Sequence, residues 1–167
     1  MKTYTLHTNS KKLLADTFTP VSVYLKIRDK FPNSLLLESS DYHANDNSFS
    51  FICFNPIANF SIENNVITKQ YPDHSIVKTD IQNKNVVDEL AQFSQQFITE
   101  SESFKFINNG LFGYISYDAI QYFEKINIKE KSPENEIALI QYAVYQNIIA
   151  INHFNNEAYI FCHSYDD

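Results

Sequence analysis

The chain has no tryptophan and only two glycines, Gly110 and Gly113, which sit three residues apart. So few glycines leave little room for a phosphate-cradling loop. Neither a third glycine nor a Lys-Ser/Thr pair follows these two. Cysteine is scarce as well. Cys53 and Cys162 fall inside apolar, strand-like runs and read as buried small hydrophobes of a reducing compartment, and nothing in the sequence supports a disulfide between them. Basic residues are outnumbered, 13 Lys and Arg against 20 Asp and Glu, for a formal net charge of -7. That balance argues against a nucleic-acid backbone and against an anionic membrane surface as partners. No apolar run approaches the roughly 20 residues needed to span a bilayer, and no basic segment leads into an apolar one at the N-terminus. The expectation is a cytoplasmic protein.

What is there is aromatic: 14 Phe and 11 Tyr in 167 residues, with 44% hydrophobic and 20% charged. Such a composition folds, and the length suits one domain with a sizeable core. No internal repeat or low-complexity linker divides it, so residues 1–167 are expected to form a single domain.

The most informative stretch is Leu35-Leu36-Leu37-Glu38-Ser39-Ser40-Asp41. A short apolar run, the length of a buried strand, ends in a carboxylate and two hydroxyls. Such a strand end can grip a small ligand at the rim of a core. The same residues also suit a strand that merely turns into a loop. Ahead of it, Thr19-Pro20 predicts a helix start, because threonine caps free amides and proline suits the first helical position. Val23, Tyr24, Ile27 and Phe31 then form one apolar face, and Pro32 ends the helix. Tyr4 and Leu6 suggest an edge strand before it. Behind it, the oxygen-rich loop Ser39–Asn47 lacks the glycine and closing glutamate of an EF-hand, which argues against calcium.

Strands are predicted at Phe49–Phe54, Ile57–Glu63 and Val66–Tyr71, with a two-residue turn at Asn64-Asn65. Residues 72–83 read as a polar loop. Asn85 caps a second predicted helix running to about Thr99, with Val86, Val87, Leu90, Phe93, Phe97 and Ile98 at helical spacing. Leu111–Tyr117 reads as a buried strand whose glycines mark a bulge or close backbone approach, and Asp118 as the cap of a short helix. Ile137–Phe154 reads as one long strand, turned at Asn155-Asn156 into Ala158–Cys162. The pattern is mixed α and β with antiparallel pairing dominant.

No catalytic constellation emerges. The five histidines lack metal-ligand spacing, and as neighbours in a strand Cys162 and His163 point to opposite faces. No Gly-x-Ser-x-Gly element occurs. A binding or regulatory role is favoured over catalysis.

The order helix, Leu36-Leu37-Glu38-Ser39, polar loop, Ser50-Phe51-Ile52, hairpin, helix, Gly110-Leu111-Phe112-Gly113-Tyr114-Ile115-Ser116-Tyr117-Asp118, then Tyr122-Phe123-Glu124 resembles the N-terminal domain of anthranilate synthase component I. The helix start Thr19-Pro20-Val21 and the closing hairpin Gln146–Phe161 fit the same family. The resemblance implies an α+β fold, a mainly antiparallel sheet with two main helices packed on it. It places Leu37, Glu38 and Ser39 in a feedback site for L-tryptophan, with Phe49 and Ser50 as a further wall. A carboxylate and a hydroxyl can hold an α-ammonium by charge-assisted hydrogen bonds, while apolar side chains bury the indole. Two departures stand out: Phe49 replaces the Tyr or Lys of many relatives, and Cys53 replaces a glycine.

The family continues into a large C-terminal chorismate-binding domain that uses Mg2+. That domain is expected to be absent from these 167 residues, and no cofactor is expected within them. The expected partners are L-tryptophan, the C-terminal domain and the glutamine amidotransferase subunit (component II). The parent enzyme is a lyase of tryptophan biosynthesis, and this portion alone is expected to be inactive. Two alternatives stay open: the N-terminal domain of the aminodeoxychorismate synthase large subunit, and an interaction domain without a ligand.

Overall fold

The structure is a computed structural model that describes residues 2–39, 48–82, 84–99, 104–126 and 137–166. In chain order its elements are β1 (Tyr4–Leu14), α1 (Pro20–Ile27), β2 (Leu35–Glu38), β3 (Phe49–Glu63), β4 (Val66–Gln70), β5 (Ile76–Asp80), α2 (Val86–Ser94), β6 (Phe97–Thr99), β7 (Leu111–Ile115), a 3-10 turn (Tyr117–Tyr122), β8 (Ile140–Asn152) and β9 (Glu157–Asp166). Pairing is antiparallel throughout the described ladders except for β1 with β6, which run parallel. The fold is thus α+β, a mainly antiparallel, mixed sheet with few helices. The residues group into two compact units, Met1–Pro56 with Phe97–Gly110 and Tyr145–Asp167, and Ile57–Gln96 with Leu111–Val144. β3 and β8 contribute to both.

In the first unit the strand order is β2–β3–β8–β9–β1–β6. β1 is therefore not the edge strand its alternation suggested. Its Tyr4 and Leu6 are buried, and Tyr4 stacks on Phe97 of β6 at 5.6 Å. α1 starts as the sequence predicts: Thr19 Oγ1 accepts from the Ser22 amide while Ser22 Oγ accepts from the Thr19 amide, at 3.2 and 3.1 Å. Val23, Tyr24 and Ile27 pack with Leu36 against Ala15, Ile52, Ile151 and Ala158. The helix stops at Ile27, earlier than its apolar spacing implied, and Asn33 turns the chain at φ 60°. Of the two cysteines, Cys53 is buried and Cys162 is exposed, and both are free. Cys162 corrects the expectation of burial: on β9 it faces opposite to His163, which is buried.

In the second unit Asn64 and Asn65 both take positive φ, 48° and 61°, and close a two-residue turn between Glu63 and Val66. Residues 72–83 are not all loop. Ile76–Asp80 pairs with β4 as β5, and it escapes sequence reading because four of its five residues are exposed, which removes any alternation. α2 is capped by Asn85, whose side chain accepts from the Val87 amide at 2.9 Å, and it ends at Ser94. Phe97 and Ile98, expected in this helix, form β6. Their apolar spacing fits either element, and pairing with β1 decides it.

Gly113 is required by its surroundings. A Cβ there would lie 1.9 Å from the backbone oxygen of Gln141 on the paired strand β8. β7 ends at Ile115, and Ser116, not Asp118, opens the 3-10 turn. β3 runs unbroken through Asn55-Pro56, where Asn55 takes φ 59°. No helix of the described residues is long and apolar enough to cross a membrane.

Candidate ligand-binding site

The end of β2 lies against the start of β3. Leu36 faces Ile52, Leu37 faces Phe51 and Glu38 faces Ser50 across the ladder. Because side chains alternate along a strand, Leu36 and Ile52 turn into the core while Leu37 and Phe51 turn the other way. On that other face a cavity of about 450 Å3 opens, lined by Leu37, Glu38, Ser39, Phe49, Phe51, Lys105, Phe106 and Ile107. Every one of these residues belongs to the first unit.

Its floor is aromatic. Phe49 stacks on Phe106 at 4.6 Å and on Phe51 at 6.0 Å. Phe106 also meets Tyr159 of β9 at 5.0 Å, and Phe104 meets Phe161 edge-on at 5.0 Å. Phe161 is fully buried, so the ring ladder is anchored in the core. Glu38, Ser39 and Lys105 complete the lining. Glu38 and Lys105 are both exposed.

The segment that brings Lys105, Phe106 and Ile107 has no helix or strand of its own. It is tied down by His163, which is 1% exposed. His163 Nε2 lies 3.1 Å from the Asn108 carbonyl oxygen, and Nδ1 lies 2.8 Å from Thr8 Oγ1. A carbonyl only accepts, so Nε2 carries the proton and the Thr8 hydroxyl donates to Nδ1. Burial holds the His163 pKa below its ordinary value, keeping the ring neutral.

Four of the five residues proposed from sequence line this cavity: Leu37, Glu38, Ser39 and Phe49. Ser50 does not. It is fully buried on the opposite face of β3, its Oγ 2.7 Å from His153 Nε2. With no exposure Ser50 cannot meet a substrate, so the Ser-His contact is not a nucleophilic pair. Sequence reasoning missed Lys105, Phe106 and Ile107, which lie between the second predicted helix and the predicted strand at Leu111–Tyr117. Their only local signal is the alternation of Phe104, Lys105 and Phe106. Residues 40–47 of the oxygen-rich loop lie outside the described residues. Among the described residues no group of three or more His, Cys, Asp and Glu could hold a metal ion.

The family model for "chorismate binding enzyme" matches residues 32–167. Three curated relatives are each called anthranilate synthase component 1. The Lactococcus lactis protein is 28% identical over 117 residues, covering 70% of this chain and 24% of that one. The Aquifex aeolicus protein is 25% identical over 142 residues, covering 84% and 28%. The Pseudomonas putida protein is 30% identical over 119 residues, covering 67% and 22%. The chain therefore spans between 22% and 28% of the length of these relatives. Among solved structures, anthranilate synthase component I from Streptococcus pneumoniae TIGR4 is similar with a TM-score of 0.48 and 19% identity, covering 90% of this chain and 31% of that one.

Proposed function

The chain belongs to the chorismate-binding enzyme family, and from that premise we propose that it is the N-terminal regulatory domain of an anthranilate synthase large subunit, with the cavity at the end of β2 as the core of its L-tryptophan feedback site. The observation that carries this reading is the composition of one cavity: Glu38 and Ser39 at its rim, and Phe49, Phe51 and Phe106 as its floor. A carboxylate beside a hydroxyl suits an α-ammonium. Three phenylalanine rings bury an indole by stacking and edge contacts, the larger part of the ligand's surface. The names of the three curated relatives support the same choice over aminodeoxychorismate synthase.

Chorismate itself suits this cavity less well. It is a dianion, and Glu38 would repel it while Lys105 alone would attract it. On this reading chorismate binds to a further domain of the protein, where with ammonia it yields anthranilate, pyruvate and water. A second component, the glutamine amidotransferase, supplies the ammonia. Feedback then requires tryptophan to bind one state of the enzyme more tightly than the other, typically by about 1–3 kcal/mol.

The chain contains no tryptophan, so a bound ligand's indole can be observed without background. Titrating the protein into dilute L-tryptophan, excited at the red edge of indole absorption, is expected to raise the ligand's anisotropy saturably. Glu38→Gln and Ser39→Ala should each weaken the rise, and chorismate should not compete. No rise at any protein concentration, or displacement by chorismate at similar concentrations, would overturn the reading.

A further inference from the structure

An α-amino acid brings a carboxylate as well as an ammonium, and the cavity at the end of β2 presents one base. Lys105 lines it together with Glu38 and the phenylalanine floor. Lys105 sits between two anchored rings. Phe104 is held edge-on by Phe161 at 5.0 Å, and Phe106 is stacked on Phe49 at 4.6 Å. Two residues beyond Phe106, the Asn108 carbonyl accepts from buried His163. A segment without regular structure is thereby fixed on both sides of its lysine. A free loop would give up much of any carboxylate contact to the entropy of ordering it.

We propose that Lys105 receives the carboxylate of the ligand and so sets the preference of this site for α-amino acids over aromatic amines. This rests on the reading of the cavity as an aromatic amino-acid site and adds the group that reads the acid end. Glu38 takes the ammonium, Lys105 takes the carboxylate, and the ring lies against Phe49, Phe51 and Phe106. His163 acts only through the segment it ties, as a positioning residue.

The test uses the 167-residue chain and three indole ligands followed by their own anisotropy. These are L-tryptophan, tryptamine, which keeps the ammonium but lacks the carboxylate, and indole-3-propionate, which keeps the carboxylate but lacks the ammonium. Wild type should bind L-tryptophan about tenfold more tightly than tryptamine, the scale of one charge-assisted contact. Lys105→Gln should bring the two within about twofold by weakening tryptophan while leaving tryptamine unchanged. Lys105→Arg should restore the preference. Glu38→Gln should act on the other comparison, narrowing the gap between tryptophan and indole-3-propionate. Lys105 is exposed, so its substitution should not disturb folding. A tenfold preference that survives in Lys105→Gln overturns the role of Lys105 and leaves the tryptophan site standing. So does equal binding of tryptamine and tryptophan by wild type. Failure of all three ligands to bind wild type removes the site and this proposal together.

Discussion

In the second unit a lysine and a glutamate meet and lose most of their contact with water. In the first, a lysine and a glutamate line one cavity and stay exposed. Lys69 Nζ lies 2.6 Å from Glu89 Oε2, with side-chain exposures of 10% and 13%, and Lys84 approaches the same carboxylate at 3.4 Å. The hydrogen bond from Lys69 holds the Glu89 carboxyl below its usual range. This pair is committed: both charges are already satisfied, and removing one strands the other. Glu38 and Lys105 are exposed and share a cavity. The difference teaches where to look for recognition: a charge that holds a fold together is paired and dry, while on the proposed reading a charge that receives a ligand stays solvated beside an apolar floor.

Substitutions should separate the two kinds of site. The largest effect belongs to Gly113→Val in the second unit. Its Cβ would overlap backbone, which cannot step aside, so a loss of about 4 kcal/mol or failure to fold is expected by urea unfolding. Glu89→Gln comes next, with about 3 kcal/mol of stability lost by the same assay and no change in ligand affinity. In the first unit the pattern reverses. Phe106→Ala should weaken L-tryptophan binding about tenfold, roughly 1.4 kcal/mol, by removing the ring that stacks on Phe49. Ser39→Ala, at an exposed position, should cost about 1 kcal/mol of binding and leave the unfolding midpoint unchanged.

The pH dependence sharpens the contrast. The folded pKa of His163 lies below its unfolded value, so the unfolded chain takes up the proton first as pH falls. The stability linked to this residue is complete above about pH 6.5 and declines as pH drops from there toward the folded value. The Glu89 contribution obeys the carboxylate rule: it is complete above about pH 4.5 and is lost as pH falls toward its lowered folded value. Thermal melts should show two separate acid-side losses, and His163→Gln should flatten the one nearer neutrality while leaving the other.

Local chemistry made much of this legible in advance. Thr19-Pro20 announced α1, Asn64-Asn65 the tight turn, Asn85 the start of α2, and the glycine in the Leu111–Ile115 run a close backbone approach. Each depends on a residue type that tolerates one backbone geometry. The features that stayed hidden depend on partners distant in the chain. β5 is exposed on both faces and has no period to read. Phe97 and Ile98 continue a helical pattern until β1 claims them. The same holds within the cavity. Leu37, Glu38, Ser39 and Phe49, named from a strand end and a resemblance, line the cavity. Ser50 points away because alternation puts it on the face opposite Phe49 and Phe51. Lys105 and Phe106 were invisible because contacts distant in the chain, with Phe49, Tyr159 and His163 among them, hold their segment in place.

The most direct measurement is a backbone amide NMR titration of the chain with L-tryptophan. Saturable shifts are expected at Leu37, Glu38, Ser39, Phe49, Phe51 and Lys105–Ile107, with the amides of β4 and α2 in the second unit unmoved. Shifts centred on the second unit, or none at ligand concentrations that saturate the anisotropy signal, would contradict the placement of the ligand at the end of β2.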